Sequence, residues 1–254
     1  VHGLLQTGEP LYPVVSGKGG ERMMTAPTIS RGKMMAALVC GMLGCVCLGA
    51  GDWLMIYGDT AYMGKLSWLT VGTAAIAPWR NTLAMALAFP GILFYGIALF
   101  AIAGFLKEGR HRKIYQGLTA FSLTSWLCLH LFYIMILYGF AWMSGNGYAA
   151  AALPVSEALF AHLSWLVLVS EVLMLPPYLY WFWTLARGKS LFPRGMALSN
   201  PLVFYVLLKL LTALMPDRPF RLAFTNGLMS ESMMIWFVVM AVWSVCHRKD
   251  RRVP

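Results

Sequence analysis

Six ionisable side chains stand inside stretches that are otherwise apolar. They are Asp52 in GAGDWLMIYGD, His130 in WLCLHLFYI, His162 and Glu171 in AHLSWLVLVSEVLMLPPYLYW, Lys209 in YVLLKLLTALMPD and Glu231 in TNGLMSESMM. Carboxylates and imidazoles buried together are the residues of general acid–base chemistry, in which one group takes a proton and another returns it. In that chemistry Glu171, Glu231 and His130 are the expected proton carriers. A cation or an amide such as Lys209 or Asn226 would stabilise charge that develops between them. Ser230, His162, Asp52 and Tyr205 complete the expected ligand-binding set. Met-, Phe- and Leu-rich surroundings would hold the apolar body of a substrate.

The spacing of these residues narrows their geometry. At 100° per residue, Glu157, Ser164, Leu168 and Glu171 fall on one helical face, and His162 points nearly opposite. Tyr205, Lys209 and Thr212 share another face. Asn226 and Ser230 share a third, with Glu231 beside it. Each group also has a plainer role. Lys209 with Glu231 or Glu171 would make a buried ion pair that fixes helix register. His130 would be a hydrogen-bonded core histidine, Asp52 and Asp59 would cap a helix end or pair with Arg80, and Asn226-Gly227 would let helices approach closely.

The elements that must position these groups follow from composition. The 254 residues are 59% hydrophobic and 12% charged, with mean hydropathy +0.66. Water-soluble domains carry about a quarter charged residues, so this chain cannot clothe itself for water. Several apolar runs reach the roughly 18 residues needed to cross a hydrocarbon core. The expected fold is an all-α polytopic bundle of six transmembrane helices, near 34–57, 81–106, 115–143, 155–186, 200–216 and 222–246. The segment 60–80, broken by Gly, Pro and two basic residues, is expected to be interfacial or re-entrant. Pro176-Pro177 should kink the fourth span toward its inner end. Trp142, Tyr148, Tyr178, Tyr180, Trp181 and Trp183 crowd span ends, where aromatic rings favour the head-group level.

The net charge of +10 does not mark a nucleic-acid binder, because the basic residues sit in short clusters between apolar runs. With the N-terminus inside, 13 Lys and Arg fall in cytoplasmic pieces, including Lys107, Arg110, Arg112, Lys113, Arg187, Lys189 and Arg194. The outer pieces hold four, Lys65, Arg80, Arg218 and Arg221. The positive-inside rule then predicts a multi-pass plasma (inner) membrane protein with both termini cytoplasmic. On this threading the ionisable groups, with the Asp217-Arg218-x-x-Arg221 turn, lie between midplane and outer surface, which suits a cavity opening outward or sideways.

Residues 34–246 form the expected membrane domain, 1–33 an N-terminal tail and 247–254 a basic cytoplasmic tail. The run Gly19-Gly20-Glu21-Arg22 before Met23-Met24 can be encoded by a purine-rich ribosome-binding site, so residues 1–22 are expected to be either a translated or vector-derived leader or an ordinary disordered tail. The five cysteines lie in apolar runs without C-x-x-C, and no His pair stands at i, i+4, so no metal or redox motif is read. No motif implies a particular cofactor. Four functions fit: an intramembrane enzyme acting on a lipid or other amphipathic molecule, a transporter or receptor using the same cavity, a structural or assembly protein, and a b-type haem protein ligated by His130 and His162. Expected partners are membrane lipids and an amphipathic small molecule.

Overall fold

The computed structural model describes residues 30–216 and 219–246. The proposed leader, the basic C-terminal tail and the pair Asp217-Arg218 lie outside them. The described chain is an all-α polytopic bundle, with two isolated backbone bridges, Tyr62–Thr70 and Leu106–Ser190, outside its helices. The helices are α1 (Arg31–Ile56), α2 (Val71–Ala74), α3 (Pro78–Ile102), α4 (Gly109–Gly145), α5 (Ala149–Met174), α6 (Pro176–Ala186), α7 (Pro201–Ala213) and α8 (Pro219–Cys246). Five stretches are long and apolar enough to cross a membrane: Gly32–Ile56, Pro78–Phe105, Gly109–Gly145, Ala149–Ala186 and Pro219–Cys246. The end holding the α1–α3 connection is called outer below, following the charge pattern.

The expected fifth span differs. Helix α7 has 13 residues, about 20 Å, too short alone for a hydrocarbon core of about 30 Å. The cause lies in the segment before it. Residues 187–200 fold back alongside α6, and the buried Asn200 donates its side-chain N–H to Tyr178 O at 2.9 Å. Tyr178 stands eight residues before the end of α6, so α7 starts about 12 Å into the bundle. Asn200 also caps α7 by accepting from Leu202 N, and Pro201 at the first position has no N–H to satisfy.

Small residues set the closest helix contacts. A methyl group at Gly44 of α1 would meet Gly91 O of α3 at 2.9 Å, and one at Gly91 would meet Leu48 Cγ at 2.7 Å. Without a hydrophobic force between helices in lipid, this close backbone approach and the dispersion it permits hold α1 on α3. Helix α8 closes the other side of α1, α4 packs on α3, α5 on α4, and α7 on α8.

The inner half is filled by aromatic rings. Trp181, Trp236, Tyr95, Tyr115, Tyr178 and Phe237 are all fully buried. Trp181 meets Trp236 edge-on at 5.9 Å, and Tyr95 meets Trp126 edge-on at 5.1 Å, the geometry preferred by ring quadrupoles. This corrects the expected aromatic belt: Trp142, Tyr148 and Trp183 are exposed, but Tyr178 and Trp181 face inward. They stand at i and i+3 on the same face as Leu185, which also faces the core.

The double proline ends α5 as expected. Neither Pro176 nor Pro177 can donate, and Tyr178 N bonds to Leu175 O instead of one residue earlier. Ser122 Oγ of α4 supplies a donor to Met174 O at 3.2 Å. At the same end, Lys107 N donates to Lys189 O and Leu191 N to Phe105 O, joining two basic loops far apart in sequence.

Candidate functional site

A cavity of about 270 Å³ lies in the outer half of the bundle. Helix α1 brings Asp52 to its wall, one turn before the helix ends. Helix α4 brings His130, and Tyr133 three residues on shares its face. Helix α5 brings Glu171, α7 brings Tyr205, and α8 brings Asn226 and Ser230. Six of the nine residues expected from the sequence therefore line one space.

The closest charged contact within it joins α1 to α4. His130 Nδ1 stands 3.8 Å from Asp52 Oδ1, beyond hydrogen-bond length but within reach of a small adjustment. The other ring nitrogen, Nε2, is buried and has no hydrogen-bond partner among the described residues. The imidazole lies against Gly51 of α1, where a methyl group would stand in ordinary contact with Nε2 at 3.6 Å. Asn226 donates its side-chain N–H to Leu222 O at 2.9 Å, which leaves its amide oxygen for other donors.

Three expected site residues stand elsewhere. Glu231 lies behind the wall, in a second pocket with Cys45, Gly49 and Leu208, where Trp53 Nε1 donates to Glu231 Oε1 at 3.4 Å. Its other oxygen is buried without a hydrogen-bond partner among the described residues. Ser230 borders both spaces, and the 100° step to the next residue carries Glu231 away from the main cavity. Lys209 is exposed one turn outward of Tyr205 and forms no ion pair among the described residues. The expected Lys209 pairing with Glu231 or Glu171 is absent there. His162 is exposed on the far flank of α5 and does not line the cavity, so the geometry does not give a haem two histidines in this space. Among the described residues no three His, Cys, Asp or Glu side chains group as metal ligands.

The outer roof comes from residues 57–77, the segment expected to be interfacial or re-entrant. It is tied by the Tyr62–Thr70 bridge, by reciprocal capping of Thr70 and Thr73, and by Lys65 N donating to Glu157 Oε1. Gly64, at φ +74°, turns the chain beneath that carboxylate. Trp68 reaches down from the roof to line the cavity, edge-on to Tyr133 at 5.5 Å and to Phe160 at 5.6 Å. Trp68 and Tyr133 were not among the expected site residues; the signal for Tyr133 was its i+3 spacing from His130. Arg80, expected to pair with an aspartate, instead donates to Tyr57 O at 2.8 Å and Trp53 O at 3.4 Å. It thus satisfies carbonyls at the end of α1, while Asp59 accepts locally from Ala61 N.

The roof blocks the outer end and the aromatic core blocks the inner end. The side is different: α5 and α7 both contribute to the cavity but are not substantially packed on each other. No curated protein and no solved structure matches this chain. One family model does, over residues 23–247, and the chain accordingly belongs to the family of unknown function DUF6796.

Proposed function

We propose that this protein is a membrane-embedded acid–base enzyme acting on a lipid or other amphipathic small molecule, in the plasma (inner) membrane with both termini cytoplasmic. The observation that carries the reading is the Asp52–His130 pair in the wall of a cavity that also holds Glu171, Tyr205, Asn226 and Ser230. Asp52 orients the imidazole and stabilises the imidazolium that forms when His130 takes a proton. Glu171, from a different helix, is the second proton carrier. Hydrogen bonds from Tyr205 and Ser230 would stabilise developing negative charge.

A volume of about 270 Å³ is at the small end for a ligand pocket. It suits the polar, reacting part of an amphiphile whose apolar remainder stays among the lipid-facing side chains of α5 and α7. The aromatic packing of the inner half favours an enzyme over a transporter, since alternating access needs a path to both faces.

Purified protein in lipid nanodiscs, incubated with a membrane-lipid extract and followed by mass spectrometry of lipid products, tests this reading. His130→Gln should abolish product while a bound amphiphile is retained. If wild type and His130→Gln give identical lipid profiles and differ only in thermal stability, the polar cluster is structural and the reading falls.

A further inference from the structure

The opening between α5 and α7 carries opposite charges on its two jambs. Glu171 lines the cavity from α5 and is exposed. Lys209 lies on α7, 40° around from Tyr205 and on the opposite side of Tyr205 from Leu208, which faces the second pocket. The Asn200–Tyr178 hydrogen bond provides a common depth mark for the two helices. Glu171 is seven residues outward of Tyr178, about 10 Å, and Lys209 is nine residues outward of Asn200, about 13 Å. The two charges therefore stand at nearly the same depth.

Neither has an ion-pair partner among the described residues. A charge at this depth facing hydrocarbon is costly, so such groups are normally covered by something that answers their charge. Other outer-half charges have internal partners: Arg80 meets carbonyls, Glu157 a backbone N–H, and Asp52 stands beside His130.

We propose that the α5–α7 cleft is a lateral binding site for the head group of a zwitterionic phospholipid bearing a primary ammonium, the ammonium on Glu171 and the phosphodiester on Lys209. A primary ammonium is specified because it can donate hydrogen bonds to the carboxylate, which a quaternary one cannot. Tyr205, one turn inward of Lys209, hydrogen-bonds the same head group at the cavity mouth. The acyl chains run inward from there over the apolar surfaces that include Val172 of α5 and Val206 of α7, both exposed. This inference rests on the amphiphile reading above and names the class of amphiphile.

The test is native mass spectrometry of full-length protein from nanodiscs containing equal parts phosphatidylethanolamine, phosphatidylcholine, phosphatidylglycerol and diacylglycerol. Wild type should retain one phosphatidylethanolamine in preference to the others. Glu171→Gln and Lys209→Met should each lower its retention about tenfold, the scale of one lost charge-assisted hydrogen bond. The exchanged pair Glu171→Lys with Lys209→Glu should restore much of it, which a purely structural role for either residue would not produce. Retention of phosphatidylcholine equal to that of phosphatidylethanolamine overturns the primary-ammonium assignment, retention of phosphatidylglycerol equal to it overturns the zwitterion assignment, and either leaves the amphiphile reading standing. Retention of phosphatidylethanolamine unchanged in both single variants overturns the cleft as its site. Loss of every lipid from wild type, with no turnover of any of the four, overturns the amphiphile reading itself.

Discussion

The inner and outer halves of this bundle solve the same packing problem differently. In the inner half, buried rings of Tyr95, Tyr115, Tyr178, Trp181, Trp236 and Phe237 pack against one another. In the outer half, helices of the same apolar composition stand apart around a cavity of about 270 Å³ lined by carboxylates, an imidazole, an amide and hydroxyls. The inner half is a filled core whose contacts are dispersion and ring electrostatics. The outer half gives up those contacts and places titratable atoms without hydrogen-bond partners among the described residues, His130 Nε2 and Glu231 Oε2, beside open space. Buried polar atoms without a hydrogen-bond partner among the described residues occur in both halves, Trp181 Nε1 and Trp236 Nε1 in the inner one among them. What separates the halves is that in the outer one the polar groups are carboxylates, an imidazole and an amide around an open cavity, the region available for chemistry.

The comparison is broken most directly by emptying the filled half. Trp236→Ala should destabilise the protein by about 3–5 kcal/mol, the range for a large buried ring removed from a packed site. Thermal or denaturant unfolding in a fixed detergent measures this. A loss under about 1 kcal/mol would mean that the aromatic cluster does not carry the fold.

Emptying the polar half should do the opposite. His130→Gln should lower turnover by roughly 10²–10⁴-fold, the usual contribution of a positioned acid–base group, with little change in unfolding temperature. Asp52→Asn should follow with a smaller loss, because it removes the group that orients the imidazole and not the imidazole itself. Equal losses of stability and activity in both variants would erase the distinction between the halves.

A third variant probes the seam that runs through both halves. Gly44→Ala places a methyl group 2.9 Å from Gly91 O, and backbone cannot step aside as a flexible side chain can. Forcing α1 from α3 should cost about 1–3 kcal/mol, read by unfolding. Gly117→Ala on α4, where nothing lies within 4 Å, is the matched control and should be neutral or slightly stabilising.

The smallest expected effect lies at the inner surface. Lys189 Nζ donates to Glu108 Oε1 at 2.7 Å, and His111 Nε2 stands 3.4 Å from the other carboxylate oxygen. The Lys189 hydrogen bond is the main cause that holds the Glu108 carboxyl below the usual carboxylate range. A carboxyl whose folded-state value is depressed contributes stability that is complete above the unfolded carboxylate range and lost as pH falls through the folded value. Protection of residues 187–191 against hydrogen exchange, taken relative to the intrinsic amide rate at each pH, should therefore fall on acidification, and Lys189→Met should flatten that response. The group is exposed to solvent, so the change should be slight.

Much of the architecture was legible in the chain. Apolar runs of spanning length and the double proline are local signals, and all of the expected spans except the fifth appear where expected. The relative depth of polar groups along any one helix was legible too, because rise along a helix depends only on residue number. What could not be read was direction around each helix axis. Ser230 and Glu231 are neighbours in sequence, yet they border different spaces. Tyr178 and Trp181 have the composition of an interfacial belt, yet they are core. Lys209 and Tyr205 share a face, but only Tyr205 lines the cavity.

The sequence by itself determined that this is a helical membrane protein, roughly where its helices run, and that its ionisable groups gather at one depth. Those properties come from hydrophobicity, length and rise, which each segment carries independently of its neighbours. The tertiary structure alone decided which polar groups share a cavity and that α7 starts deep, at the Asn200–Tyr178 hydrogen bond. It also decided that α5 and α7 stand apart. Those outcomes depend on which faces meet and how closely glycines let backbones approach, and that is settled only when all the helices pack together.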